Sequence, residues 1–166
     1  GEMGHGLITT LHEKSHGNIV AVDLNPLDDS ISSFCSEIII GNILDSNIIN
    51  TLNDKYKFDT IYHLAALLST QAEIYPLSAH DINVGGTINL LHLALEQGQL
   101  QGNQIKFFFP SSIAVYGLKS LKEKELAGAI KENSFRNPFT MYGCNKLYCE
   151  NLGRYYANHY QQLNAK

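Results

Sequence analysis

Short apolar runs alternate along this chain with longer amphipathic segments, and this alternation constrains the fold more than any other feature of the sequence. Four runs have the length and composition of buried parallel strands, at residues 18–23, 37–40, 59–63 and 106–109. Helical spacing is found between and after them, at residues 3–14, 45–55, 78–97 (ending at Gly98) and 141–159. This alternation predicts an α/β fold, a Rossmann-type doubly wound parallel sheet with helices on both faces.

Composition narrows the class of protein. The 166 residues fit one domain with a sizeable core, so residues 1–166 are predicted to form a single unit. A formal charge of −4 offers no basic field for nucleic acid, and no apolar run approaches the ~20 residues that a membrane span needs. The three cysteines, Cys35, Cys144 and Cys149, lack metal-ligand spacing and indicate reduced thiols, which favours a cytoplasmic location. His12 and His16 are four apart but have no acidic third ligand nearby, so no metal site is predicted.

The glycines at the start of the chain suggest a dinucleotide site. Gly1, Gly4 and Gly6 precede a helical pattern, where glycine lets a pyrophosphate approach the helix N-terminus. Asp23 follows nineteen residues after Gly4, at the end of a predicted strand, where a carboxylate binds ribose hydroxyls and repels a 2′-phosphate. NAD is therefore favoured over NADP. A Rossmann unit also has a strand before the glycine loop, central in the order 3-2-1-4-5-6, and we expect it to be missing from these residues.

A possible catalytic pair lies near the other end of the chain. Tyr142 and Lys146 are spaced i, i+4 and share one helix face. Ionising a tyrosine of pKa ~10 at pH 7 costs about 4 kcal/mol, and a nearby ammonium removes part of that cost. Such a tyrosine serves as a general base on an alcohol, and Ser111 and Ser112, which follow a strand, are placed to orient the substrate oxygen. The spacing alone is common on helices and does not separate a catalytic pair from a structural one.

Several segments resemble, in family order, the motifs of the extended short-chain dehydrogenase/reductase family, which includes nucleotide-sugar epimerases and dehydratases. Gly1 and Gly4 resemble the second and third glycines of its loop, and Asp23 matches its ribose-binding acid. The other matching segments are residues 41–45 (Asn42 replacing the usual Asp), 63–66, 83–87, 110–117 and 142–146.

The resemblance assigns roles to particular residues of this chain. The catalytic residues are Ser112, Tyr142 and Lys146. The cofactor-binding residues are Gly1, Met3, Gly4, Asp23, Leu24, Asn42, Ile43, Leu64, Ala65, Ala66, Asn83, Tyr142 and Lys146. The substrate-binding residues are Ser69, Thr70, Ser111 and Ser112, the first two being the least constrained assignment.

Within the family, the sequences of residues 64–69, 109–117 and 140–143 are most similar to the short-chain type of L-threonine 3-dehydrogenase. That likeness implies NAD-dependent oxidation of the threonine 3-hydroxyl to 2-amino-3-oxobutanoate. A nucleotide-sugar 4-epimerase or dehydratase is the alternative, although such enzymes more often carry Ser or Thr where Ile113 stands. A dinucleotide-binding sensor or scaffold is the non-enzyme alternative, although such relatives usually lose the tyrosine or the lysine.

The family resemblance also implies how the chain is completed. Members are about twice as long, and their C-terminal half forms a substrate-binding lobe. We therefore expect residues 1–166 to be part of an NAD-binding Rossmann domain that neither folds stably nor turns over substrate alone. A homodimer is expected through helices 81–97 and 141–160. Animal members of the threonine branch are mitochondrial, so that location replaces the cytoplasm if the source is an animal.

Overall fold

The structure is a computed structural model that describes residues 1–166. Strands and helices alternate along the chain, as the sequence predicts. Their bounds are α1 Glu2–Glu13, β1 Val20–Asp23, α2 Asp29–Ser32, β2 Glu37–Ile40, α3 Ser46–Lys55, β3 Thr60–Tyr62, α4 Ser69–Ile74, α5 Pro76–His80, α6 Gly86–Gln101, β4 Ile105–Phe108, α7 Leu121–Ala127, α8 Met141–His159 and β5 Leu163–Ala165. A π-helical turn, Asp81–Gly85, joins α5 to α6, and a 3₁₀ turn, Ile113–Val115, follows β4.

Every strand pairing is parallel, which confirms the predicted α/β class. β1 pairs with β2, and β3, β4 and β5 form a second group in that order. No hydrogen-bonded strand joins the two groups. In the Rossmann order 3-2-1-4-5-6, the break between β1 and β3 is the position of the first strand. The structure therefore has the predicted topology, with no strand of these 166 residues at its centre.

Strand β5 is an element that the sequence did not reveal. It spans only Leu163–Ala165 and contains the polar Asn164, so it offers no apolar run. It nevertheless pairs in parallel with β4, in the register Ile105↔Leu163, and Leu163 is fully buried. Long-range pairing to β4, rather than local propensity, makes this segment a strand.

The predicted helix over residues 78–97 is wrong in its bounds. The structure interrupts it at the π-helical turn Asp81–Gly85 and continues α6 to Gln101, where Gly102 ends it with a φ of 67°. Gly98 lies inside the helix, and a Cβ there would lie 2.7 Å from the Cβ of Gln162. Gly98 is therefore needed for close packing against the segment before β5 and does not cap the helix.

The core is built around α6, which is apolar on most of its surface. Leu91 and Ala94 are completely buried, and α6 packs against α3, α8 and β4. The buried Gln97 donates to the carbonyl oxygens of Asn53 and Tyr56 and accepts from the backbone of Phe58, so its amide is satisfied. This network fixes the turn before β3. No helix combines the length and the apolar content of a transmembrane segment.

Candidate active site

The first turn of α8 presents Tyr142 and Lys146 from a firmly capped helix end. The Thr140 hydroxyl accepts from the N–H of Gly143 at 3.1 Å, as an N-cap residue does. The carboxylate of Glu73, on α4, accepts from the N–H of Met141 at 2.6 Å. Two of the helix's free N–H groups are thus satisfied by side chains, one of them from another element.

Ser112 stands at the turn that follows β4, facing the start of α8. Its Oγ accepts from the N–H of Ala114 at 3.2 Å, which caps the 3₁₀ turn. Gly143 lets α8 lie directly on this turn, because a Cβ there would be 2.9 Å from the carbonyl carbon of Ala114 and 2.9 Å from the Cβ of Pro138. The close approach of backbone to backbone brings Ser112 to Tyr142.

Lys146 is almost completely enclosed. Its ammonium donates to the carbonyl oxygen of Pro110 at 2.8 Å and lies 4.2 Å from the centre of the Phe109 ring. The centre of the Tyr142 ring is 5.7 Å from the same nitrogen. Burial disfavours the charged form and lowers the pKa of Lys146.

Tyr142 is held mainly in its neutral form in this arrangement. Burial raises the pKa of Tyr142, and the hydroxyl of Ser112 acts in the opposite direction. The Lys146 ammonium is engaged with Pro110 and Phe109. The lowering of the Tyr142 pKa by this lysine therefore stays a prediction, which applies to the protein with its cofactor bound. Ser112, Tyr142 and Lys146 nevertheless lie together at the carboxyl end of β4, where ligands bind in open α/β sheets.

His63 is buried near Lys146. Its Nε2 lies 2.9 Å from the Thr87 hydroxyl, which itself donates to the carbonyl oxygen of Asn83. Nε2 must therefore carry the hydrogen, and Nδ1 is a buried acceptor with no partner. Burial, with a smaller effect of Lys146, lowers the pKa of His63 from 6.5 to about 4. His63 is thus a neutral core residue at neutral pH.

The glycines Gly1 and Gly4, with Met3, lie at the first turn of α1. Gly1 caps the helix without a side-chain bond, and Met3 is exposed. A Cβ at Gly4 would meet nothing nearer than the Cδ1 of Leu64, at 3.9 Å, so space remains beside this helix end. The free N–H groups of the first turn suit an anionic group.

Asp23 ends β1 with one carboxylate oxygen engaged. Its Oδ1 accepts from the N–H of Asn25 at 2.9 Å, which leaves Oδ2 for the hydroxyls of a ribose. Leu24, next to it, is exposed. This free acceptor oxygen fits the adenosine half of a dinucleotide without a 2′-phosphate.

Among the remaining cofactor candidates, Asn42 is exposed, whereas Ile43 and Asn83 are buried. The Asn42 side chain accepts from the N–H of Leu44, and Ile43 is buried against Gly86, where a Cβ would be 2.9 Å from the Cγ1 of Ile43. The Asn83 amide bonds both the N–H and the C=O of Leu67. Asn83 is therefore engaged with the segment that follows Leu64, Ala65 and Ala66, and its direct contact with a cofactor stays a prediction.

The substrate candidates are placed in two ways. Ser69 and Thr70 are exposed in the first turn of α4. The Ser111 hydroxyl, in contrast, donates to the carboxylate of Glu150.

Four residues near the site were missed by sequence reasoning: Glu73, Phe109, Arg136 and Glu150. Only Glu150 left a usable signal, since it follows Lys146 at i+4 on the same helix face. The others are joined to the site through long-range contacts. No group of three or more His, Cys, Asp or Glu side chains is placed to hold a metal ion.

Comparison with known proteins assigns this chain to a family. The family described as GDP-mannose 4,6 dehydratase matches residues 2–165. An uncharacterised epimerase/dehydratase of Staphylococcus haemolyticus is 33% identical over 94% of this chain and 46% of that protein.

Solved structures show the same architecture. The L-threonine dehydrogenase of Clostridium difficile superposes with a TM-score of 0.79 at 32% identity, over 99% of this chain and 49% of that one. The L-threonine 3-dehydrogenase of Trypanosoma brucei gives a TM-score of 0.81 at 29% identity, over 99% and 49%. The chain thus spans about half the length of the proteins that it matches.

Proposed function

This chain belongs to the GDP-mannose 4,6 dehydratase family of NAD-dependent epimerases and dehydratases, and on that basis we propose that its full-length parent oxidises the 3-hydroxyl of L-threonine to 2-amino-3-oxobutanoate. The membership itself implies an enzyme with a nicotinamide dinucleotide cofactor. The choice of L-threonine rests on the similarity to threonine dehydrogenase structures at 29% and 32% identity.

The observation that supports this proposal is the meeting of Ser112, Tyr142 and Lys146 at one end of the sheet. Ser112 orients the substrate hydroxyl. Tyr142, as phenolate, takes the hydroxyl proton, and the C3 hydrogen leaves as hydride. Lys146 supplies the positive charge that makes the phenolate accessible, once its ammonium turns from the Pro110 carbonyl toward the ribose and the tyrosine.

NAD is the cofactor that the adenosine end favours. NAD+, when bound, would supply the hydride acceptor and a positive charge that also favours the tyrosinate. Gly1, Met3 and Gly4 would hold the pyrophosphate, and Asp23 would bind the ribose hydroxyls with its free oxygen. The exposed Leu24 and Asn42 flank the adenine in this proposal.

The deciding experiment follows NAD+ reduction at 340 nm by the full-length gene product, with L-threonine and UDP-sugars as separate substrates. We expect absorbance to rise with L-threonine only. No rise with L-threonine, under conditions in which NADH binding is measured, rejects the proposed substrate. L-serine is a matched control, because it lacks the methyl group but keeps the amino acid hydroxyl.

A nucleotide-sugar 4-epimerase or dehydratase is the second candidate, favoured by the description of the similar staphylococcal proteins as epimerases/dehydratases. It would use the same Ser112, Tyr142 and Lys146. Conversion of a UDP- or GDP-sugar without net NAD+ reduction supports it. A dinucleotide-binding sensor or scaffold without enzymatic activity is the third hypothesis. Turnover of any of these substrates excludes it.

A homodimer is proposed through α6 and α8, the helices that the structure has in place of those predicted at residues 81–97 and 141–160. Tyr148 and Tyr155 lie half exposed on α8, as aromatic residues of a protein interface would. Light scattering of the full-length protein tests this, and a monomer mass at micromolar concentration rejects it.

A further inference from the structure

Glu150 lies one turn beyond Lys146 on α8, and its carboxylate accepts hydrogen bonds from three side chains. Its side chain is only 17% exposed. One carboxylate oxygen accepts from the Ser111 hydroxyl, and the other accepts from the guanidinium of Arg136 and, at 3.2 Å, from that of Arg154. Both oxygens are thus used, and the negative charge is compensated by two cations.

Two of the three partners of Glu150 belong to segments outside α8, Ser111 to the turn after β4 and Arg136 to the segment before α8. Ser111 adjoins Ser112, and its neighbour Pro110 bonds the Lys146 ammonium. The short segment after β4 is therefore fastened to α8 at two successive helix turns, once through Lys146 and once through Glu150.

Arg136 belongs to the segment that leads into α8. The carbonyl oxygen of Phe135 accepts from the N–H of Gly117 at 2.7 Å, and a Cβ at Gly117 would lie 2.7 Å from the carbonyl carbon of Asn137. This segment thus packs on the same turn that carries Ser112. Glu150 is the single side chain that is hydrogen-bonded to both segments. It reaches the Ser112 turn through Ser111, and it reaches the segment that packs on this turn through Arg136.

We propose that Glu150 is a positioning residue that fastens the Ser112 turn and the Arg136 segment to the catalytic helix. The role in turnover rests on the proposed function, whereas the fastening itself is a property of the fold. Glu150 does not touch the reacting atoms, because both of its oxygens are engaged with Ser111, Arg136 and Arg154. It acts through the orientation of Ser112 relative to Tyr142.

A substrate-independent test is limited trypsin digestion of the full-length protein. Trypsin cleaves after Arg136 only when that side chain is released, so we expect Glu150→Gln to cleave there roughly fivefold faster, through local opening. Cleavage after the exposed Lys124 is the internal reference. Glu132→Gln, an exposed acid in the neighbouring segment, makes the same charge change and should leave the rate at Arg136 unchanged. An unchanged rate in Glu150→Gln overturns the fastening.

The kinetic test uses the substrate that the wild-type enzyme turns over. Glu150→Gln should lower kcat about tenfold or more, since small misplacement of a reacting group is costly, while the Kd for NADH stays within about twofold. Ser111→Ala should lower kcat less. Glu150→Ala removes every bond of the carboxylate, so Ser111→Ala combined with Glu150→Ala should match Glu150→Ala alone, because the bond that they share is lost only once. Additive losses, or a wild-type kcat in Glu150→Gln, overturn the positioning role. If the wild-type protein turns over no substrate, the proposed function fails and the positioning role with it, while the trypsin result still decides the fastening.

Discussion

Gly143→Ala is the substitution that most sharply tests the contact between the catalytic helix and the Ser112 turn. A Cβ at this position would lie 2.9 Å from the Cβ of Pro138 and 2.9 Å from the carbonyl carbon of Ala114. The carbonyl oxygen of Ala114 would be nearer still. Carbon atoms in favourable contact are about 3.5–4.0 Å apart, so the two carbon contacts alone require the helix and the turn to separate by roughly 0.6 Å or more. Neither neighbour can yield easily, because one is backbone and the other is a proline ring.

The size of the effect follows from this displacement. A misplacement of about 1 Å can cost about a hundredfold in rate, so roughly 0.6 Å should lower kcat between about tenfold and a hundredfold. Overpacking should also destabilise the fold by about 1–3 kcal/mol, which outweighs the ~1 kcal/mol that alanine gains over glycine in a helix.

Gly153→Ala is the matched control on the same helix. Its Cβ would have the Cβ of Ala165 as its nearest neighbour, at 3.7 Å, which is an ordinary contact. This variant should keep its kcat and unfold at a slightly higher temperature, because only the gain in helix propensity remains. Steady-state kinetics and thermal melts of the two full-length variants make the comparison. A Gly143→Ala enzyme with wild-type kcat and Tm would refute the proposed close contact.

Two further predictions concern proton binding and the cofactor. Because burial, with Lys146, lowers the pKa of His63 from 6.5 to about 4, stability that is present above pH 6.5 should fall by about 3 kcal/mol as pH drops to 4. In urea unfolding of the full-length protein, His63→Gln should lack this part of the pH dependence and the exposed His80→Gln should retain it; an unchanged slope in His63→Gln contradicts the buried neutral state. Asp23→Asn removes the charge that repels a 2′-phosphate, so NADPH affinity should rise about tenfold or more relative to NADH, as measured by nucleotide fluorescence; an unchanged ratio removes Asp23 from the ribose site.

The elements with strong local signals were predictable from the sequence. Residues 37–40 and 141–159 match their strand and helix without a shift, and Asp45 caps α3 through the N–H of Asn47 as expected. Periodicity and capping chemistry act over a few residues, so a single sequence records them.

Features that depend on distant contacts were not predictable in this way. β5 is a strand because β4 pairs with it, and the π-helical turn before α6 interrupts a pattern that reads as one continuous helix. In the candidate site, the motifs placed Ser112, Tyr142 and Lys146 together, but they did not show that Lys146 faces Pro110 or that Ser111 is bonded to Glu150. Such choices between hydrogen-bond partners are made only when the segments meet.

In the proposed reaction Tyr142 transfers the substrate proton, and Tyr142→Phe in the full-length protein tests this role most directly. This variant removes one hydroxyl and keeps the ring beside Lys146. We expect kcat to fall by about a hundredfold or more, since general acid–base groups contribute ~10²–10⁴ in rate, while NADH still binds within a few-fold of the wild-type Kd. A Tyr142→Phe enzyme that binds NADH and retains wild-type kcat would contradict the account.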